Sequence, residues 1–281
     1  DGWCIHINGG KMAGLELLTT LSCMSDRGRW SVNNFVHPYD ISDNDKELIK
    51  NMRRVGEGEL TGIGAGILVY DLLKDVPDEF RADIITAALY INLIVIEEFR
   101  HGIIIGVLND SEFIPNFDLA KFGEDNLNNL SNEADWDIYG LLVSLCLSEC
   151  VNTELYRCVS KKVECEHLKS IFNNIMKDEA RHLTAWKKII AELVEKGGFH
   201  EQEILRAVLR ALHTHNASIG GSYVDGVKDT FQIFDSSSID NIVDSKLNAI
   251  KFFFNGKSPI SRIDLKRGHL KFVASSISSI P

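Results

Sequence analysis

Two short stretches decide the fold of this chain: residues 96–102 read IEEFRHG, and residues 177–183 read KDEARHL. Each contains an acid, a glutamate, one spacer residue and then arginine and histidine. In a helix, residues three apart lie on the same face, so each glutamate shares a face with its histidine. Two such faces turned toward each other would direct two carboxylates and two imidazoles to one point. The pairs are Glu98 with His101 and Glu179 with His182.

Apolar residues recur with a helical period along almost the whole chain, which predicts an all-α protein. No strand alternation and no nucleotide-binding glycine motif competes with this interpretation. Ser42 or Asp43 can cap the first helix, and Pro77 suits the first position of the second. Residues 236–238 are predicted to form a loop. The predicted helices cover residues 44–74, 77–108, 136–160, 165–195, 200–215 and 239–254.

The connections between these helices indicate the architecture. Two helical hairpins are joined by one long polar connection, residues 109–135, which is the connectivity of a ferritin-like four-helix bundle. We therefore predict a ferritin-like bundle with additional C-terminal helices. It would occupy residues 1–215 with an N-terminal lead-in, and residues 216–281 would be an appendage of the same domain.

The composition is that of an ordinary globular protein of 281 residues, with 44% hydrophobic and 25% charged residues. A net charge of -10 disfavours nucleic acid as a partner. No apolar run is long enough to span a membrane, so no membrane partner is expected. The cysteines show neither a Cys-x-x-Cys pair nor a disulfide framework, which favours reduced thiols and a cytoplasmic location. Cys146 and Cys150 are interpreted as small buried helix residues rather than metal ligands.

The bare pattern Glu-x-x-His is weak evidence, because Glu164 and His167 match it in a predicted turn, where we interpret them as surface residues. The other two pairs interrupt apolar stripes that should face the core. A buried ionised carboxylate needs a cation or a proton, so these positions indicate a metal site. The stripes contain Ala87, Ile91, Ile94 and Ile105 in one helix, and Leu168, Phe172, Ile175 and Trp186 in the other.

The first helix of each hairpin should supply one more acid at the same depth. In the first hairpin, Glu59 shares its face with apolar residues, whereas Glu57 shares its face with Lys50 and Arg53. Glu59 is therefore the inward candidate.

In the second hairpin, Glu149 lies 14 residues before the turn near residue 163 and Glu179 lies 16 after it, so the two are level. Glu154 is only 9 residues before the turn, which places it roughly 10 Å away along the axis. Glu149 is therefore preferred as the second acid.

The predicted site combines four carboxylates with two imidazoles. Two divalent cations would neutralise the four negative charges, and mixed oxygen and nitrogen ligands suit iron, with manganese as the alternative. The predicted ligands are Glu59, Glu98, His101, Glu149, Glu179 and His182.

With this set of residues, the chain resembles the ferritin-like di-iron carboxylate oxygenases and oxidases over residues 44–195. The strings Glu-Glu-x-Arg-His-Gly and Asp-Glu-x-Arg-His look most similar to those of soluble acyl-carrier-protein desaturases. Aromatic N-oxygenases of this superfamily carry a further histidine one turn before the last glutamate. Ile175 stands there, which argues against that subgroup.

The resemblance implies several further properties. In this family, the acid before each ligand glutamate holds the histidine of the other helix. Asp178 should therefore orient His101, and Glu97 should orient His182. The implied activity uses two iron ions, O2 and an external electron donor such as a ferredoxin to oxidise an organic molecule, free or carrier-tethered.

Several alternatives stay open. An iron storage protein or ferroxidase would share the ligands, and so would a radical-generating subunit like that of ribonucleotide reductase. The latter needs a tyrosine beside the metals, and Tyr70, Tyr139 and Tyr156 are available. A metal-free helical interaction protein is the alternative outside these classes, and a homodimer is one assembly that the chain could form.

Two further patterns have more than one interpretation. Gly58, Gly62 and Gly66 recur every four residues and predict either close helix packing or a substrate channel. The basic residues within 257–271 could bind an acidic partner such as an acyl carrier protein, or could form a solvated face.

Overall fold

The computed structural model describes residues 41–60, 66, 68–70, 72, 74, 76, 78–109, 137–196, 200–213 and 233–267. These residues form helices and turns without a β-strand, which confirms the predicted all-α class. Helices α1 and α2 pack together, α3 and α4 pack together, and α2 contacts α4. The fold is the predicted ferritin-like bundle with additional helices, in which α5 packs on α3, and α6 packs on α3 and α4. The helices are α1 Asp43–Leu60, α2 Asp78–Asn109, α3 Ile138–Lys162, α4 Glu166–Glu195, α5 Glu201–His213 and α6 Ser236–Phe253.

Most predicted helix ends lie within a few residues of the observed ones. Ser42 is the cap of α1, because its Oγ accepts a hydrogen bond from the backbone N–H of Asp45 at 3.1 Å. Residues 66, 68–70 and 72 are also helical, in agreement with the predicted first helix. Pro77, the stop at residues 197–198 and the long connection beyond Asn109 fall outside the described residues.

The predicted loop at 236–238 is wrong, because these residues form the first turn of α6. Asp235 Oδ1 accepts the backbone N–H of Ser238 at 2.7 Å, and Ser238 Oγ accepts the backbone N–H of Asp235 at 3.3 Å. This reciprocal cap satisfies two amide donors that a helix start otherwise leaves unpaired. Three consecutive serines therefore begin a helix here.

A buried acid fixes the register between α1 and α4. Asp45 is fully buried, and its two oxygens accept the backbone N–H groups of Glu164 and Cys165 at 2.8 and 3.0 Å. The start of α1 is thereby joined to the turn that begins α4. Glu59 lies 14 residues after Asp45, and Glu179 lies 14 residues after Cys165. At 1.5 Å per residue, both are ~21 Å from this junction, so they lie level in the bundle.

The apolar core has two parts, one on either side of the acid and histidine motifs. All members of the predicted stripes are buried, as expected. Along α2, buried apolar residues of one part end at Ile94, and those of the other begin at Ile104. Along α4, the division lies between Ile175 and Leu183. The polar motifs therefore occupy a layer that is closed by hydrocarbon above and below.

Helix α3 differs from one sequence-based expectation. By length and composition alone, α3 could span a membrane, because an 18-residue stretch of it has a mean hydropathy of 1.2. However, 67% of that stretch is buried inside the protein, and α3 packs against α4, α5 and α6. This environment is typical of the central helix of a bundle.

Close packing of α1 on α2 occurs at Gly56 and Gly102. A Cβ added at Gly102 would lie 2.7 Å from the carbonyl oxygen of Gly56, and one added at Gly56 would lie 2.7 Å from Ile105 Cγ2. The glycine series for which close packing was one prediction gives two different results. A Cβ added at Gly58 would meet nothing within 4 Å, whereas one added at Gly66 would lie 3.2 Å from Asn92 Oδ1. Gly62 is outside the described residues.

These distances predict opposite effects for two Gly→Ala substitutions. Gly102→Ala should lower the free energy of unfolding by about 1–3 kcal/mol, because the new methyl group meets backbone that cannot move independently. Gly58→Ala should raise it by about 0.5–1 kcal/mol, since alanine favours the helix and the position is open. Urea denaturation of both variants measures the difference, and equal effects would contradict this account of the helix contact.

Candidate metal centre

The motifs of α2 and α4 face each other across the bundle. His101 Nδ1 lies 2.9 Å from Glu179 Oε1, and His182 Nδ1 lies 2.8 Å from Glu98 Oε1. The imidazole centroids are 6.2 Å apart, and both histidines are fully buried. Each histidine therefore faces the glutamate of the opposite helix, so the two predicted faces meet.

The cluster divides into two overlapping groups, each able to hold one cation, with ligand atoms all within 4.8 Å of one another. Glu98 and Glu179 belong to both groups, so they occupy the positions of shared ligands. One group adds the acid of α1 and the histidine of α2, and the other adds the acid of α3 and the histidine of α4. The first position is Glu59, Glu98, His101 and Glu179, and the second position is Glu98, Glu149, Glu179 and His182.

The structure separates the competing acids in the way that the sequence predicts. Glu59 and Glu149 are buried in the cluster. Glu57 points elsewhere and accepts a hydrogen bond from Arg53 Nε at 3.2 Å. Glu154 is buried too, but it accepts hydrogen bonds from Arg157 on its own helix and from Asn241 of α6 at 3.1 Å. Its role is to anchor α6 on α3.

The other nitrogen of each histidine contacts an acid of the opposite helix. His101 Nε2 lies 3.1 Å from Asp178 Oδ2, and His182 Nε2 lies 2.7 Å from Glu97 Oε2. These are the two contacts that the family resemblance implies. An acceptor on Nε2 places the proton there and leaves Nδ1 free to bind a metal.

Two arginines balance the charge of these outer acids. Arg181 donates to Asp178 Oδ1 at 2.7 Å and to Glu97 Oε2 at 2.6 Å, so one guanidinium joins both acids. Arg100 donates to Asp178 Oδ2 at 2.8 Å. The two positive charges offset Asp178 and Glu97, which leaves the four negative charges of the inner carboxylates. Two divalent cations would neutralise that remainder.

Burial and mutual repulsion strongly perturb the inner acids. Burial, followed by the charges of Glu98 and Glu179, raises the pKa of both Glu59 and Glu149 well above the usual value. For Glu98, burial acts in the same direction, but Glu59 and His182 outweigh it and hold the pKa well below the usual value. The inner acids therefore differ in their affinity for protons, and bound protons neutralise part of the negative charge of the cluster.

The pKa values of the two imidazoles and of Asp178 are shifted in the direction that favours their charged forms. Burial lowers the pKa of His101, but Asp178, Glu179 and Glu98 outweigh burial and raise it well above the usual value. The pKa of His182 is raised in the same way by Glu98, Glu179 and Glu97. Burial raises the pKa of Asp178, but His101 and Arg181 hold it at about 2. A metal ion would have to displace the inner protons in order to bind.

The unsatisfied atoms of the cluster provide the test of whether metals fit. Among the described residues, twelve buried side-chain nitrogen or oxygen atoms have no hydrogen-bond partner, and seven of them belong to this cluster. His101 Nδ1 is one of the seven although Glu179 Oε1 is 2.9 Å away. The burial of such atoms costs free energy unless a cation binds to them, so this set of donor atoms fits a pair of metal ions. The seven atoms are both carboxylate oxygens of Glu98 and Glu179, Glu149 Oε2, and Nδ1 of His101 and His182.

No protein-family model matches the chain, and no curated protein matches it. Among solved structures, it is similar to an R2-like ligand-binding oxidase with an aerobically reconstituted metal cofactor after photoconversion, with 12% sequence identity and a TM-score of 0.40 over 99% of each chain. A similarity of this degree leaves the function to be inferred from the site itself. The resemblance to desaturase motifs stays a prediction.

Tyr156, one of the three tyrosines available in the sequence, lies in the site. It is fully buried, and its hydroxyl donates a hydrogen bond to Glu59 Oε1 at 2.5 Å. Burial, followed by the charges of Glu59 and Glu179, raises the pKa of Tyr156 well above the usual value, so the phenol keeps its proton. The available signal was spacing, because Tyr156 lies seven residues after Glu149 and shares its helix face.

The remaining candidates are the two cysteines of α3 and the third Glu-x-x-His pair. Cys146 and Cys150 are buried free thiols, and neither belongs to the metal-binding groups found among the described residues. Glu164 is exposed in the turn before α4, whereas His167 is partly exposed in the first turn of α4 itself and not in the predicted turn. Neither pair therefore competes with the central site.

Glu149 and Glu154 can be distinguished by substitution. Glu149→Ala should lose the metal of the second position, whereas Glu154→Ala should keep both metals. The second variant should instead lower the free energy of unfolding by roughly 1–3 kcal/mol, because Arg157 and Asn241 lose their acceptor. Metal analysis after anaerobic loading, combined with urea denaturation, separates the two effects. Loss of metal in Glu154→Ala with retention in Glu149→Ala would reverse the assignment.

Proposed function

We propose that this protein is a di-iron enzyme that uses O2 to oxidise an organic small molecule, free or carrier-tethered. Hydroxylation, desaturation and N-oxygenation are the reactions within this class. The observation that carries the proposal is the pair of overlapping ligand groups that share Glu98 and Glu179 in the closed interior of the bundle. Four carboxylates and two imidazoles from four helices are the arrangement of di-metal carboxylate proteins.

Each residue of the cluster has a distinct role in this proposal. Glu59 and His101 would hold the first iron, Glu149 and His182 the second, and Glu98 and Glu179 both. Manganese is the alternative metal, since the same oxygen and nitrogen donors accept it. When bound, the two irons would supply electrons for the reduction of O2, and an external donor such as a ferredoxin would restore them.

The protein's own contribution is orientation and the exclusion of water. Asp178 and Glu97 hold the imidazoles in position through Nε2, and Arg181 holds both acids. The apolar layers above and below the cluster include Ile94, Ile105 and Trp186, which are at most 5% exposed. A dry site protects a reactive oxidant from water until a substrate arrives. This property favours an oxidase or oxygenase over a ferroxidase, which must pass oxidised iron onward.

The test is the reaction of the iron-loaded protein with O2. Protein loaded anaerobically with two Fe(II) per chain should show a transient absorbance change in stopped flow, and an organic substrate should accelerate its decay. Candidate substrates are amines, amino acids and acyl thioesters, and Glu179→Ala is the control that should show no transient. Unlimited conversion of added Fe(II) to a ferric mineral would favour a ferroxidase. Binding of less than one metal per chain would favour a metal-free interaction protein.

A second candidate, a radical-generating subunit, gains support from one observation. That class needs an oxidisable tyrosine beside the metals, and Tyr156 contacts Glu59. Electron paramagnetic resonance after exposure to O2 distinguishes the candidates. A stable tyrosyl signal that is lost in Tyr156→Phe would favour radical storage, whereas product formation without such a signal would favour direct oxidation of a substrate.

Partners and location follow from the same proposal. The enzyme would work in the cytoplasm on a small-molecule or carrier-tethered substrate, without nucleic acid or membrane, and a homodimer is one assembly to test.

The basic residues within 257–271 give little support for the docking of an acidic carrier protein. Within the described part of this range, Arg262 pairs with Asp240 and Asp244, and Lys266 pairs with Asp240, so these charges stabilise the contact with α6.

A further inference from the structure

The two metal positions differ in how their unshared acids are held. On the first position, the hydroxyl of Tyr156 donates a hydrogen bond to Glu59 Oε1 at 2.5 Å. The ring of Tyr156 stacks on Phe172 with centroids 6.4 Å apart, and it meets the edge of His101 at the same centroid distance. Because the tyrosine is fully buried between these rings, its hydroxyl is fixed against Glu59.

The counterpart on the second position, Glu149, is held differently. Glu149 Oε2 is buried, and it is among the atoms without a hydrogen-bond partner in the described part of the chain. The remaining ligands are matched between the positions, since Glu98 and Glu179 belong to both groups and each histidine contacts an outer acid. Glu59 and Glu149 are therefore the ligands whose surroundings differ.

We infer that the two metal positions have different affinities, and that Tyr156 makes the position of Glu59 and His101 the tighter one by fixing Glu59. This inference rests on the proposed function, because it assumes that the cluster binds metals. A carboxylate oxygen that is already fixed by a hydrogen bond loses little conformational freedom on binding, whereas an oxygen without a partner, such as Glu149 Oε2, must be ordered by the metal. Tyr156 is thus a positioning residue, and the metal beside Glu149 is the more readily exchanged of the two.

The experiment uses variants that retain one position each. Glu149→Gln leaves the first position complete, and Glu59→Gln leaves the second complete. Each variant is titrated with cobalt(II) alone and followed by visible absorbance, with and without Tyr156→Phe. Removal of an outer hydrogen bond typically weakens metal binding about 10- to 100-fold, and we expect that loss in the Glu149→Gln background. The same change in the Glu59→Gln background should leave the cobalt affinity unchanged.

The chain with both positions intact provides a second measurement. Its cobalt titration should show two separate steps, and Tyr156→Phe should bring them together by weakening the first. Circular dichroism checks that the helices are kept, and the substitution is nearly isosteric, so the phenyl ring still fills the space between Phe172 and His101. A purely structural role for Tyr156 would change thermal stability without this selective effect on one position.

The outcomes separate the inference from the proposed function. If the unaltered chain binds cobalt at both positions but Tyr156→Phe leaves every affinity unchanged, the inference is overturned and the metal centre stands. Equal weakening in both single-position backgrounds would also overturn it, because the effect would not pass through Glu59. If the unaltered chain binds no cobalt, the proposed function fails and the inference fails with it.

Discussion

Replacement of Glu179 with alanine should abolish the binding of both metal ions, because its carboxylate belongs to both ligand groups. Glu98→Ala should have the same effect for the same reason. Glu59→Ala should keep one metal, since the second position does not include that residue. The measurement is metal content per chain after anaerobic loading with Fe(II), together with circular dichroism to show that the helical content survives.

Glu57→Ala is the matched control for these variants. Glu57 lies on the same helix as Glu59, but it pairs with Arg53 on the partly exposed side of α1. This variant should bind both metals with unchanged stoichiometry. Full metal occupancy in Glu179→Ala would remove that residue from the ligand set, and occupancy by one metal would mean that the two groups do not share it.

Asp178→Asn and Glu97→Gln should each weaken one metal position more than the other, without removing a ligand. Asp178 holds His101 and Glu97 holds His182 through Nε2, so the first variant should affect the first position and the second variant the second. Loss of an outer carboxylate typically costs about 10- to 100-fold in metal affinity. Cobalt titration of each variant measures the effect at the two steps.

A control for this pair is Glu192→Gln, which removes a carboxylate from α4 that pairs with Lys196 near the surface. Its metal affinities should be unchanged. Some effect of each outer acid on the other position is expected, because Arg181 joins Asp178 and Glu97. Unchanged affinities in both variants would mean that these acids serve only to balance the arginines.

Much of the site was predictable because helical geometry is regular. The spacing of three residues placed Glu98 with His101 and Glu179 with His182, and the rise per residue placed Glu149 level with Glu179. The apolar stripes showed that these faces turn inward. The family resemblance supplied the contacts of Asp178 and Glu97, which the structure contains. The identity of these residues as metal ligands stays a prediction.

The sequence by itself determined the class of the fold, the approximate helix limits and the residues that share each face, since all of these depend on local periodicity. Only the tertiary structure decided which side chains meet between helices: Tyr156 with Glu59, Asp45 with the turn before α4, and Glu154 with Asn241. It also placed the close helix contact at Gly56 and Gly102, outside the predicted glycine series. These contacts depend on the crossing angles and axial offsets of packed helices, which many distant residues set together.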